Sequence, residues 1–61
     1  MDINQIIEAA KSLGIALTNA ELGTELCKAW SDRVELAWSR WEAGDMQGCQ
    51  RAINMANKYA I

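Results

Sequence analysis

Apolar residues recur at helical spacing along most of the chain. Ile3, Ile6, Ile7, Ala10 and Leu13 fall three or four residues apart and form one stripe. Glu8 and Lys11 lie off it. Asp2 precedes the stripe as an N-cap, and Gln5 stands at the third helical position, where a capping-box partner belongs. Gly14 supplies a left-handed stop. This pattern predicts a first helix over about 3–13.

A second start signal follows. Thr18-Asn19-Ala20-Glu21 has the form of a capping box, and Leu17 and Leu22 flank it as a hydrophobic staple. Gly23 apart, nothing breaks the pattern before Gly44, so a second helix is predicted over about 19–43. Gly44-Asp45 then reads as a stop followed by a new N-cap. A third helix is predicted over about 46–60, with Cys49, Ala52, Ile53, Ala56, Tyr59 and Ala60 inward. Gln47, Gln50, Arg51, Asn54, Asn57 and Lys58 form its solvated face. The expected fold is all-α: one three-helix mini-domain, 1–61, with a long central helix and an αα-hairpin. Smaller elements are read as its neighbours, because helix 2 carries more apolar surface than either of them.

On the central helix Leu26, Cys27, Trp30, Val34, Ala37, Trp38 and Trp41 cover roughly 120° of a helical wheel. Leu36, Ala29 and Leu22 widen that arc, and Arg33 and Arg40, seven residues apart, project between the two groups. Trp30 and Trp41 point to its middle and suit core positions, since the chain has no Phe. Trp38 sits at its edge beside Cys27. Trp and Arg are frequent anchors of protein interfaces, while Arg stems also cover apolar surface with wet heads. The candidate partner-binding set is therefore Trp38, Arg33, Arg40, Trp30, Trp41 and Cys27, with core and interface roles both open for the tryptophans.

Composition narrows the function classes. The chain has 61 residues, and 51% of them are apolar. A chain this short builds only a marginal core. It contains no His, which removes the commonest general base and metal ligand. No nucleophile–base arrangement, phosphate loop or dinucleotide fingerprint occurs. The carboxylate pairs Glu21/Glu25, Asp32/Glu35 and Glu42/Asp45 read as solvated charge. A non-enzyme without metal or cofactor is expected. Net charge is −2, with six Lys+Arg against eight Asp+Glu. That balance gives no basic footprint for nucleic acid. No apolar run has membrane-spanning length, and the first residues lack a basic signal region. A cytosolic chain with reduced thiols is expected. In an antiparallel hairpin about Gly44, Cys27 and Cys49 would lie about 18 Å apart along the axis, too far for a disulfide.

The stretch from Val34 to Asn57 resembles one tetratricopeptide-type helical hairpin. Gly44-Asp45 stand at its turn, Met46, Cys49, Ala52, Ile53 and Ala56 at its packing positions, and Ala37 at its small position. The resemblance implies an αα-hairpin and a protein-binding scaffold. Ala9–Ile15, Leu17–Leu22 and Ser39–Gly44 are each similar to pieces of helix-turn-helix regulators, but the segment between them is too long to join them. The expected function is a small protein–protein interaction module that self-associates or docks on a larger protein through its central helix. By analogy of size and style, such a chain acts as an inhibitor or adaptor of the phage or mobile-element kind. A diverged helix-turn-helix DNA-binding regulator and a structural subunit of a larger assembly are the alternatives.

Overall fold

A computed structural model describes residues 2–18 and 26–60. Three helices follow in order: α1 (Ile3–Leu13), α2 (Lys28–Glu42) and α3 (Met46–Tyr59). No strand occurs among the described residues. The all-α mini-domain read from the sequence is the fold observed.

Local chemistry accounts for the ends of α1. The Asp2 carboxylate accepts from the Gln5 backbone N–H at 2.8 Å, and the Gln5 side chain accepts from the Asp2 N–H at 3.1 Å. Both halves of the capping box are therefore made. Gly14, at φ 73°, ends the helix. Its N–H reaches the Lys11 carbonyl at 3.2 Å, and the Ile15 N–H reaches the Ala10 carbonyl at 2.9 Å. These two bonds are the Schellman pair, and they need a left-handed residue where Gly14 stands.

The same device closes α2. Gly44 has φ 79°. The Gly44 N–H donates to Trp41 O at 3.1 Å, and the Asp45 N–H donates to Arg40 O at 2.9 Å. Asp45 then starts α3, its carboxylate accepting from the Gly48 N–H at 2.9 Å. The other carboxylate oxygen takes the Arg40 guanidinium at 3.3 Å. Asp45 thus clamps both helices of the hairpin. Replacing it by Ala is expected to cost about 1 kcal/mol, nearly all from the lost cap, because an exposed ion pair adds little. Asp45→Asn keeps a capping oxygen and should cost only a few tenths. Thermal unfolding separates them: a drop of several degrees for Asp45→Ala and a much smaller one for Asp45→Asn.

The start of α2 differs from the expected 19. Leu26 and Cys27 are not helical, and Cys27 is an extended N-cap that makes no side-chain cap bond. The reason is tertiary. The Trp30 indole N–H donates to the Ala16 carbonyl at 3.0 Å. A helix running from 19 would carry Trp30 about 16 Å along its axis from that start. The Asn19-Ala20-Glu21 part of the expected capping box, the staple residue Leu22, Gly23 and the Glu21/Glu25 pair lie outside the described residues. Thr18 is described: its hydroxyl is buried and has no hydrogen-bond partner among the described residues. An unpaired buried hydroxyl costs on the order of 1 kcal/mol or more. Thr18→Val, which keeps the shape, is therefore expected to raise the unfolding midpoint. A capping Thr18 would make the same substitution lower it.

The core is assembled from small residues around one large one. Ala9, Ala10, Ala37, Ala52 and Ala56 are buried with Ile6, Ile15, Val34, Cys49 and Trp30. α2 packs along α3 as an αα-hairpin, and α1 lies against α2. Alanines at the contacts let the helix axes approach closely. Two expected inward positions are corrected. Tyr59 is exposed because α3 ends there, and Ile3 is exposed at the first turn of α1. Asn57 is exposed, as its place on the solvated face predicts, and also accepts the Ala16 N–H at 2.8 Å. Trp30 and Asn57 together hold both polar groups of Ala16. They fix the connection after α1 against the other two helices.

Candidate interaction surfaces on the central helix

The six candidate residues separate into three environments. Trp30 is fully buried, and its indole N–H is spent on Ala16. Of the two roles open to it, it takes that of the core's large filler. Trp41 reverses the other way. It continues the stripe Trp30, Val34, Ala37, yet it is 49% exposed. It sits in the last turn of α2, just before the hairpin turn, where little packs over it. The core role read for Trp41 is corrected by this position. Trp38 lies between these extremes, half-buried against the core. Its ring stacks on Trp41 with centroids 5.2 Å apart and planes tilted by 35°.

Trp38 also helps line an open groove of about 430 Å³ with Asp2, Asn4, Gln5, Glu8, Ala9 and Ser12 of the α1 region. The groove runs along α1 from Asp2 to Ser12. Ala16, just past α1, lies beside the first turn of α2 through Trp30. Trp41 and Met46 fall toward the hairpin-turn end of the bundle, where they are 49% and 59% exposed, and Ile3 is 48% exposed on α1. Leu17 and Tyr59 are exposed toward the other end.

Arg33 and Arg40 lie on the far side of α2 from Trp38. They line a second groove, of about 280 Å³, with Leu36 and the α3-side residues Asp45, Gln47, Gly48, Arg51, Ala52 and Met55. Every arginine of the chain is in this lining. Arg40 pairs with Asp45, and Lys28 with Asp32 at 3.9 Å. Among the described residues neither Arg33 nor Arg51 has an ion-pair partner. Arg51 was assigned to the solvated face of the third helix. Only the register of the hairpin, with Arg40 against Gly48, brings it to the other two. The spacing of Gly44-Asp45 to residues 40 and 48 was the signal that held this information.

Cys27 and Cys49 are both free thiols, half-buried and buried respectively. Cys27 precedes the first turn of α2 and Cys49 lies in the first turn of α3, at opposite ends of the hairpin. Among the described residues no group of three His, Cys, Asp or Glu side chains is placed to hold a metal ion. No described helix is long and apolar enough to cross a membrane. The described surfaces present an aromatic pair and guanidinium groups. Compared with protein-family models, curated proteins and solved structures, the chain matches none.

Proposed function

We propose that this chain is a non-enzymatic protein–protein interaction module of the inhibitor or adaptor kind. It uses α2 as its contact element and associates with a second copy of itself through the Trp38/Trp41 face. The observation that carries this reading is the half-exposed Trp41 stacked on Trp38.

The total accessible surface is 3997 Å². That is close to the roughly 4,000 Å² expected of a compact monomer of this size. The argument for a partner therefore rests on which residues are exposed, not on how much. Scattered apolar side chains on a surface are ordinary. A tryptophan pair continuous with a groove is not, because Trp contributes large contact area at small entropic cost. The interaction scaffold implied by the tetratricopeptide resemblance agrees with this use of a helical hairpin.

Tryptophan emission over a dilution series tests the reading. Trp30 is buried at every concentration, so a change reports on Trp41 and Trp38. Emission should shift to the blue and acrylamide quenching should fall as concentration rises. Trp41→Phe should remove most of that dependence. Emission and quenching that stay constant up to several hundred micromolar would count against the second-copy contact.

A further inference from the structure

The groove between α2 and α3 has a composition that the Trp face does not explain. The chain is net acidic, at −2, yet its three arginines share one groove. Its three lysines, Lys11, Lys28 and Lys58, do not line it. Leu36, Ala52 and Met55 add apolar side chains to the same lining, beside Asp45, Gln47 and Gly48. Arg40 is occupied by Asp45. Arg33 on α2 and Arg51 on α3 are left to face each other's groove wall without a partner among the described residues.

We propose that this arginine groove binds an acidic amphipathic helix of a partner protein. Glu or Asp side chains of that helix would pair with Arg33 and Arg51, and an apolar side chain between them would rest on Leu36 and Met55. Guanidinium groups bind carboxylates in paired, planar hydrogen bonds, which gives the contact direction as well as charge. The mixed lining argues for a peptide over a phosphodiester, which has nothing to place on Leu36 and Met55. Net negative charge elsewhere on the chain disfavours general attraction of acids, so any such binding is local to the groove. The proposal rests on the reading of the chain as an interaction module, but it concerns a different face.

The test is fluorescence anisotropy of a fluorescein-labelled helical peptide alternating Leu and Glu at three- and four-residue spacing. The same peptide with Gln for Glu is the comparison. The full chain should bind the Glu peptide and not the Gln peptide. Arg33→Gln and Arg51→Gln, each with an unchanged circular dichroism spectrum, should weaken binding on the order of tenfold. Lys58→Gln should leave it unchanged. Equal binding of the two peptides, an equal loss for Lys58→Gln, or stronger competition by duplex DNA than by unlabelled peptide would overturn the proposal. Trp41→Ser keeps the two readings apart, because it should abolish self-association and leave peptide binding intact. No peptide binding alongside Trp41-dependent self-association would remove the groove proposal alone.

Discussion

Trp30→Ala should be the most destabilising single substitution in the core and bring the chain close to unfolding. Trp30 is the one large side chain at the centre of a core whose other members include five alanines. Removing a buried Trp side chain costs about 3–5 kcal/mol. A chain of 61 residues has a total stability of roughly 3–9 kcal/mol. The substitution therefore removes from about a third to all of what holds the fold. It also frees the Ala16 carbonyl and loosens the connection that places α1 on α2. Trp30→Phe keeps a ring in the cavity but has no N–H to give Ala16. Its expected cost is smaller, about 1–2 kcal/mol. Urea titration followed by circular dichroism checks both. Similar midpoints for Trp30→Ala and the unmodified chain would mean that Trp30 is not the core's filler.

The second large effect should come from adding volume. Ala37 is fully buried on the central helix. Ala52 and Ala56 are buried on the facing side of α3. At contacts made by alanine, a larger side chain has no room unless the helices separate. Ala37→Leu is expected to cost about 1–3 kcal/mol despite adding apolar surface. Leu is as good a helix former as most residues, so the loss cannot come from propensity. Ser39→Leu is the control, because Ser39 is exposed on the same helix. It should change stability by no more than about 0.5 kcal/mol. Equal midpoints for the two variants would show that the α2 contacts have slack.

The parts of this fold that were legible in the sequence are those set by neighbouring residues. Asp2 with Gln5 and Gly14 bound α1, and Gly44-Asp45 bound the hairpin, because caps and left-handed glycines act within a single turn. The inward face of α3 was legible for the same reason: Cys49, Ala52 and Ala56 repeat with the helix. The start of α2 was not legible. The apparent capping box at Thr18 is a stronger local signal than anything at Cys27, which caps without a side-chain bond. A contact fourteen residues back, from the Trp30 indole to Ala16, outweighs it.

The candidate site shows the same division. Periodicity placed Trp30, Val34, Ala37 and Trp41 on one stripe, and the structure agrees that they align. It could not say that the last of them lies at the end of the bundle, where cover runs out. Arg51 was read as solvent-facing from its position on α3 alone. Its company with Arg33 and Arg40 depends on hairpin register, which no single helix encodes. Asn57 likewise sits on a polar face yet has a specific task at Ala16.

Sedimentation equilibrium of the unmodified chain beside Trp41→Ser, from low to several hundred micromolar, tests the central claim most directly. Trp41 is half-exposed, so its replacement should preserve helicity and the unfolding midpoint within about 0.5–1 kcal/mol. The account predicts that the unmodified chain rises toward twice the monomer mass with concentration, while Trp41→Ser stays at the monomer mass. A strict monomer throughout, or identical association of the two proteins, would contradict it.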